Sequence, residues 1–344
     1  MLKIGRRNIR LVYNIIMKIS KEKSNILRAM AIIFVLIGHG LQWLTNSNLN
    51  VLNWGGGVGV AIFLILSGYG LTESYLSEGR IDSKKFWKKR ICTVMIPYWI
   101  IMVIQKVLDR ILFKRYIGVK ETLLSIIGYN DYTRMESIDS TMWYITFLML
   151  CYILFFVVFK LPFKNVIKGI ILMSLFTLGF VMKVGLTTDW YINYFCFPLG
   201  VLISLCGGGL QKNIRKIIVA LSLLVFVAIS TGYYNGKIAN ENILFIYCLF
   251  GGVFFVFGEF YNNVLNVKLL NVIGKSSYAI YLVEGFFVNK FRIFYSIDSS
   301  WSDVLVYWIL SIEMGIVLHL IYKSIKVHIG EKYGKIFWNR WFSR

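Results

Sequence analysis

The sequence predicts an all-α integral membrane protein, a polytopic bundle of about ten transmembrane helices with both termini in the cytoplasm. Of its 344 residues, 57% are hydrophobic and only 16% are charged, whereas about a quarter of the residues of an ordinary soluble domain are charged. The mean hydropathy is +0.65. A soluble protein of this size could not bury so much apolar surface, so the lipid bilayer must serve as its solvent.

Ten apolar stretches along the chain approach the length of about 20 residues that a helix needs to cross a bilayer. A basic cytoplasmic arm at 1–25 precedes the membrane domain, which occupies 26–323, and a basic cytoplasmic tail follows at 324–344. The predicted spans are 26–44, 57–76, 91–113, 141–159, 165–182, 190–206, 215–232, 241–259, 272–294 and 301–322.

The distribution of charge predicts the orientation of these spans. An even number of spans puts both termini on one side, and most of the 38 Lys and Arg residues then lie on the cytoplasmic segments, as the positive-inside rule requires. The same rule explains the net charge of +21 without a nucleic-acid partner. Several tryptophans then fall near the outer boundary, where they would form an aromatic belt: Trp43, Trp54, Trp143, Trp190 and Trp301.

Cysteine spacing and glycine clusters favour structural roles. The five cysteines show neither zinc nor redox spacing and lie in or beside apolar runs, so we expect no metal site and treat them as small buried hydrophobes. The small residues at 55–59 and 67–70 would let the second span pack closely against a neighbour.

The sequence does not determine the oligomeric state, and a homo-oligomer is compatible with it.

Arg28 and His39 lie near the two ends of the apolar sequence NILRAMAIIFVLIGHG at 25–40. On a helix, 11 residues make three turns plus about 20°, so both side chains share one face and are separated by roughly 16 Å of rise. Arg28 would lie at the cytoplasmic edge and His39 near or beyond the middle of the membrane. An ionisable group at that depth normally faces a bundle interior or a cavity, although a structural histidine that bridges two helices would fit the same pattern.

This pair of residues suits coenzyme A. A cation at the membrane surface can hold phosphates, and an imidazole can act as general base or nucleophile on an acyl group. An extended pantetheine arm would reach from one to the other, with the nucleotide at Arg28 and the thioester near His39.

Five motifs, in this order along the chain, resemble those of the acyltransferase-3 family of membrane acyltransferases. The first is the R-x10-H signature formed by Arg28 and His39. Each motif alone is weak, but five in the family's order, with ten predicted spans, cover residues 25 to about 320. The other four are GVGVAIFLILSGYGL at 57–71, FWKKRICTVMIPYW at 86–99, WYITFLMLCYILF at 143–155 and IGKSSYAIYLVEGFF at 273–287.

The resemblance implies an enzyme that moves an acyl group, most often acetyl from acetyl-CoA, to a hydroxyl of a cell-surface glycan or its lipid-linked precursor. It implies that His39 is the catalytic histidine and Arg28 its partner on the acyl-CoA side. Lys88, Lys89 and Arg90 would help to bind the phosphates of acyl-CoA, although positive-inside anchoring explains the same cations. Acyl-CoA is then a co-substrate, and no bound cofactor is expected.

Three positions depart from the family pattern. An R-x-x-R arrangement is frequent in the family, but here Arg90 is followed by Thr93. Many members have an acidic residue in the second span where this chain has Ala61, and many carry histidine where this chain has Glu284.

Glu284 lies about as deep in its predicted span as His39 in the first. A carboxylate bonded to an imidazole fixes its tautomer and stabilises its cation, so we predict Glu284 as a second catalytic residue, with Glu313 as the alternative partner.

Aromatic residues near the outer boundary are candidates for binding the acceptor. Trp143 and Tyr144 could stack on sugar faces, although a membrane belt also explains the tryptophan. Tyr281 lies in the span that carries Glu284, where it would line the same cavity or bridge two helices.

These residues predict an acyl-CoA-dependent O-acyltransferase of the bacterial cell membrane. Two alternatives remain open on the sequence. The first is a transporter or flippase for a glycan or lipid-linked sugar, which would favour internal repeats and spans broken near the midplane. The second is a catalytically silent scaffold of polysaccharide synthesis.

Overall fold

The computed structural model describes eight stretches of the chain, and all the regular structure in them is helical. These stretches are 19–42, 55–130, 138–183, 187–206, 212–234, 241–258, 267–290 and 300–333. Within them the all-α prediction is confirmed.

The described residues contain thirteen α-helices together with one π-turn and one 3₁₀ turn. The π-turn, Ile91–Met95, joins α3 to α4, and the 3₁₀ turn, Ser140–Met142, leads into α6. The helices are α1 Lys21–Leu41, α2 Gly55–Glu78, α3 Ser83–Arg90, α4 Ile96–Leu112, α5 Val119–Ile126, α6 Trp143–Lys160, α7 Asn165–Val181, α8 Thr188–Asn193, α9 Cys196–Cys206, α10 Lys212–Tyr234, α11 Glu241–Phe257, α12 Val267–Lys290 and α13 Trp301–Tyr333.

Within the described residues, six helical segments are long and apolar enough to cross a membrane. Three further apolar helices, Asn165–Val181, Lys216–Gly232 and Asn242–Phe257, are shorter, and α12 carries four charged side chains. The protein is therefore a helical membrane protein, while the count of ten spans and the orientation of the termini stay predictions. The six segments are Lys21–Leu41, Gly55–Glu78, Ser83–Leu112, Ser140–Lys160, Thr188–Cys206 and Trp301–Ile325.

The chain divides into two compact units. The first unit comprises Met1–Arg80 and Cys151–Lys275, and the second comprises Ile81–Leu150 and Ser276–Arg344. Arg28 and His39 belong to the first unit. The basic segment, Glu284 and the predicted acceptor-binding aromatics belong to the second.

In the first unit, α2 packs closely between α1 and α9 because glycines stand at the crossings. A Cβ added to Gly59 would come within 2.4 Å of the Ala31 carbonyl oxygen on α1. A Cβ on Gly68 would come within 2.2 Å of the Phe197 carbonyl oxygen on α9. Only a residue without a side chain permits such approach of two backbones, so the predicted packing role of these glycines is confirmed.

In the second unit, α3, the π-turn and α4 form one continuous helical segment from Ser83 to Leu112. Pro97 stands in the first turn of α4, and a proline can neither donate to the carbonyl four residues earlier nor approach it. The π-turn widens the helix at this point, with the amide of Ile96 bonded to the carbonyl of Ile91. Gly315 of α13 allows an equally close contact with α12, since its Cβ would lie 2.5 Å from Ile280 Cα.

Candidate active site

Arg28 and His39 lie on one uninterrupted helix, α1. Its N-terminus is capped by Ser20, whose hydroxyl accepts a hydrogen bond from the Lys23 amide at 3.1 Å. The side-chain Nδ2 of Asn25 donates a hydrogen bond to Asn271 Oδ1 at 2.7 Å, which fixes α1 against α12 within the first unit. Because the helix is continuous, the predicted separation of roughly 16 Å along one face applies to these two residues.

The two side chains differ in exposure and in their place along α1. Arg28 is exposed near the start, and His39 is half-buried. α1 ends at Leu41, so His39 stands in its last turn, nearer the end of the helix than the sequence boundaries of 26–44 implied. The buried face, which includes Leu27, Ala31 and Val35, packs toward α2 and leaves Arg28 outside the core.

The three cations of the basic segment occupy the last turn of α3 but differ in environment. Lys89 is exposed, Lys88 is half-buried and Arg90 is buried, with its guanidinium 4.6 Å from the centre of the Phe86 ring. Such a contact stabilises the cation by cation–π attraction. Thr93, which replaces the family's second arginine, donates its hydroxyl to the Lys89 carbonyl at 2.6 Å, so its hydroxyl proton is engaged within the helix.

Glu284 is completely buried in α12. Its Oε2 accepts a hydrogen bond from the Tyr307 hydroxyl of α13 at 2.8 Å. Glu313, the alternative partner for the histidine, is exposed on α13. Glu284 and His39 belong to separate compact units, so their pairing stays a prediction.

The predicted acceptor-binding aromatics come together within the second unit. The rings of Tyr144 and Tyr281 lie 5.4 Å apart in an edge-to-face arrangement, and Trp143 meets Tyr144 at 6.1 Å. The Tyr281 hydroxyl donates to the Thr141 carbonyl at 2.5 Å, and the Tyr278 hydroxyl donates to Val94 at 2.9 Å. Tyr144 and Tyr281 are buried, whereas Trp143 is half-buried. Of the three side chains, Trp143 is therefore the most accessible to an acceptor.

A buried polar cluster around Asp139 was missed by the sequence analysis. The carboxylate of Asp139 accepts hydrogen bonds from Gln105 Nε2 at 3.0 Å, from Asn289 Nδ2 at 2.8 Å, and from the amide and hydroxyl of Thr141 at 2.9 and 2.8 Å. It thereby joins α4, the 3₁₀ turn and α12. Burial raises the pKa of the Asp139 carboxyl above its usual 3.8, the hydrogen bonds from Thr141 and Gln105 lower it, and the nearby charge of Glu284 raises it further.

An ion pair between Lys290 and Asp109 was also missed. Lys290 Nζ lies 2.6 Å from Asp109 Oδ2, and both residues are buried. Each residue falls inside a predicted apolar span, 272–294 and 91–113. A lone charge inside a span normally needs a partner, so two spans with opposite charges were the signal that could have identified this pair.

The described part of the chain offers no metal centre. No group of three or more His, Cys, Asp or Glu residues in it could hold a metal ion. The cysteines are free thiols. Cys151, Cys196 and Cys248 are buried, as predicted, whereas Cys92 is half-buried and Cys206 is exposed, so the prediction of a buried thiol is wrong for Cys206.

The chain belongs to the acyltransferase-3 family: the model of this family, described as an acyltransferase domain, matches residues 22–322. The protein is therefore a member of a family of membrane acyltransferases, and the family resemblance of its motifs is confirmed.

The chain is also similar to the O-acetyltransferases OatA of Staphylococcus aureus strains NCTC 8325, COL and MRSA252. It is 27% identical to each over 364 aligned residues, which cover 90% of this chain and 57% of each relative. The chain thus spans little more than half the length of these curated relatives. No solved structure matches the chain.

Proposed function

We propose that the protein is an O-acyltransferase of the bacterial cell membrane that moves an acetyl group from acetyl-CoA to a hydroxyl of a cell-surface glycan or its lipid-linked precursor. Its family is one of acyltransferases, and the relatives it resembles are named O-acetyltransferases. These findings favour acyl transfer over the transporter and the scaffold that the sequence left open.

The observation that carries this proposal is the placement of Arg28 and His39 on α1. One exposed cation and one half-buried imidazole share a face of a single helix, separated by roughly 16 Å. A phosphate-bearing nucleotide held at Arg28 would extend its pantetheine arm along the helix. The thioester would then reach the imidazole at the other end of α1.

His39 would promote the transfer in one of two ways. As a general base, it takes the proton of the acceptor hydroxyl while the oxygen attacks the thioester carbonyl, the carbon–sulfur bond breaks, and the proton passes to the departing thiolate. As a nucleophile, the imidazole first takes the acyl group from sulfur and then yields it to the hydroxyl oxygen. Both routes produce an acyl ester and free coenzyme A.

We assign the acceptor to the aromatic residues of the second unit, Trp143, Tyr144 and Tyr281, with Glu284 as a buried carboxyl on the helix that carries Tyr281. Aromatic rings can stack on the apolar faces of a sugar, and neighbouring polar groups can form hydrogen bonds with its hydroxyls.

Lys88, Lys89 and Arg90 would bind phosphates of acyl-CoA, with the exposed Lys89 the most accessible of the three.

The first experiment compares membranes that contain equal amounts of the wild-type protein or His39→Ala. Acetyl-CoA labelled in its acyl group is supplied together with glycan from the native host, and label in the glycan fraction is measured. We expect incorporation with the wild type and a loss of at least about a hundredfold with His39→Ala, since a positioned acid–base group contributes roughly 10²–10⁴ in rate.

His319→Ala is the matched control, because His319 is a half-buried histidine in another apolar helix and has no role in the proposal. Equal labelling by His39→Ala and the wild type would refute a catalytic His39. Absence of label with the wild type would refute this donor or acceptor and favour the transporter.

A second experiment tests Arg28. We expect Arg28→Ala to raise the KM for acetyl-CoA with a smaller change in kcat, because a phosphate contact distant from the reacting atoms contributes to binding rather than to the chemical step. Lys164→Ala, which removes an exposed cation elsewhere in the first unit, controls for the change in net charge. An unchanged KM in Arg28→Ala would contradict the assignment.

A further inference from the structure

Glu313 stands in the middle of an apolar helix. The segment Trp301–Ile325 of α13 is 25 residues long with a mean hydropathy of 2.1, and Glu313 is its central residue. At 1.5 Å per residue, its Cα lies about 18 Å from either end of this segment, which is near the centre of the hydrocarbon layer.

The carboxyl of Glu313 is exposed, and no group in the described part of the chain is hydrogen-bonded or ion-paired with it. The contrast with Glu284 is direct, since that carboxyl is buried and accepts a hydrogen bond from Tyr307. Acidic side chains at this depth almost always face a protein interior or a water-filled cavity, because hydrocarbon offers no hydrogen-bond partner. Glu313 therefore requires a donor from outside the described chain.

The face of α13 that carries Glu313 is opposite to the face that packs on α12. Gly315, which meets Ile280 closely, and the buried Ser311 are each about 200° around the helix from Glu313. The contacts within the second unit thus leave the Glu313 face uncovered.

The uncovered face has the spacing of a helix–helix interface. Val306, Ile309, Glu313, Ile316 and Leu320 follow one another at alternating intervals of three and four residues, the pattern of the a and d positions of a left-handed helix pair. Ile309 is 53% exposed and Leu320 55% exposed. Four aliphatic residues therefore flank one central carboxyl along a single stripe.

We propose that this face is the interface with a second copy of the chain, formed by two α13 helices that meet at Glu313. A two-fold axis along the membrane normal places every residue opposite its own equivalent at the same depth. The carboxyl of one protomer then meets the carboxyl of its partner, and a carboxyl that carries its proton donates to an oxygen of the other. The stripe can therefore pair with its own copy through aliphatic contacts along its length and a hydrogen bond between the two carboxyls at its centre.

A single polar residue among apolar a and d positions also sets the register of two helices, because any shift leaves the polar group against hydrocarbon side chains. Polar side chains hydrogen-bond across helices in membranes and strengthen their association. Glu313 would thus select both the partner and the alignment.

The test counts subunits of the full-length protein in lipid vesicles. Chains that each carry one fluorophore are reconstituted at decreasing protein-to-lipid ratios, and bleaching steps are counted for the wild type, Glu313→Gln and Glu313→Leu. We expect two-step bleaching to persist in the wild type and in Glu313→Gln, whose amide groups can still pair. Glu313→Leu should require about tenfold more protein per lipid to dimerise, the loss expected for the hydrogen bonds across the pair.

Cysteine cross-linking in native membranes locates the interface. Ile309→Cys, on the Glu313 face, should form a disulfide-linked dimer under mild oxidation. Met314→Cys should not, because Met314 is equally exposed but lies about 100° around the helix from Glu313. The unaltered chain measures the background from the native cysteines, and equal unfolding temperatures would show that the variants are folded.

Four results would overturn the proposal. The first is single-step bleaching of the wild type at every protein-to-lipid ratio, whether or not another membrane protein co-purifies with it. The second is dimerisation of Glu313→Leu as tight as that of the wild type, and the third is loss of the dimer in Glu313→Gln to the same degree as in Glu313→Leu. The fourth is cross-linking through Met314→Cys rather than Ile309→Cys.

Discussion

The hydroxyl of Tyr307 donates a hydrogen bond of 2.8 Å to Glu284 Oε2, and both side chains are buried between α12 and α13. Burial of a carboxyl away from water is costly, and this bond offsets part of that cost. It also fixes the direction in which the carboxyl points.

Substitutions at this pair separate a role in the reaction from a role in stability. Glu284→Gln keeps an oxygen that can accept from Tyr307, so we expect its unfolding temperature to stay near that of the wild type while acyl transfer falls at least about tenfold. Tyr307→Phe deprives a buried carboxyl of a donor and should lower the free energy of unfolding by about 1–3 kcal/mol. Thermal unfolding and label transfer measure the two effects. Full activity in a stable Glu284→Gln would remove this residue from the site.

The ion pair of Lys290 and Asp109 should be strongly coupled. Replacing one member, as in Lys290→Met or Asp109→Leu, leaves a buried charge without its counter-ion and should cost about 3–5 kcal/mol of unfolding free energy. The double variant removes both charges and should recover most of that loss. Unfolding of all four proteins in mixed micelles gives the coupling directly, and strictly additive losses would show that the pair makes no net interaction.

The buried carboxyl of Asp139 should make stability depend on pH. Because its pKa is raised, chiefly by burial, the unfolded chain releases this proton at a lower pH than the folded chain does. The free energy of unfolding should therefore fall as the pH rises from about 3.8 to the raised pKa, and then level off.

The control for this effect is Asp139→Asn, which has no proton to release. Unfolding temperatures of the two proteins are compared from about pH 4 to pH 8, so that other titrating groups cancel. The advantage of the wild type over Asp139→Asn should shrink as the pH rises. An advantage that grows with pH would mean that the folded state favours the carboxylate.

Two glycines offer a matched test of close helix packing. A Cβ on Gly200 would lie 2.1 Å from the Ile65 carbonyl oxygen, whereas one on Gly70 would meet nothing within 4 Å. Gly200→Ala should cost about 1–3 kcal/mol of unfolding free energy, since backbone must move. Gly70→Ala should be neutral or stabilising by up to about 1 kcal/mol, because alanine favours the helix. Equal effects would contradict the close crossing of α2 and α9.

Much of the fold could be predicted from the sequence because apolar runs and glycine clusters are local signals. The helical class, the shared face of Arg28 and His39 on α1, and the close packing of α2 all depend on residues within a few turns of one another. The helix ends were harder to place, and His39 stands closer to the end of α1 than its apolar run suggested.

The polar clusters could not be predicted in the same way because their members are far apart in sequence. Asn289 and Asp139 are 150 residues apart, and Lys290 and Asp109 are 181 residues apart. Periodicity reports which face of a helix is apolar, but not which distant helix supplies the partner of a polar group. The placement of Glu284 beside Tyr307 likewise depends on how α12 packs against α13.

The charge content of α12 bears on how the protein is made. With three lysines and one glutamate in 24 residues, this helix gains too little from transfer into lipid to enter the membrane on its own hydrophobicity. Asp109 belongs to an earlier helix, and its partner Lys290 is synthesised 181 residues later. The Asp109 carboxyl therefore lacks its counter-ion during that interval. The sequence predicts α12 as a span, and we therefore expect it to insert late and cooperatively, with the Asp109 carboxyl already in place to pair with Lys290. A nascent chain that terminates before α12 would hold Asp109 without this counter-ion and should be a substrate for membrane quality control.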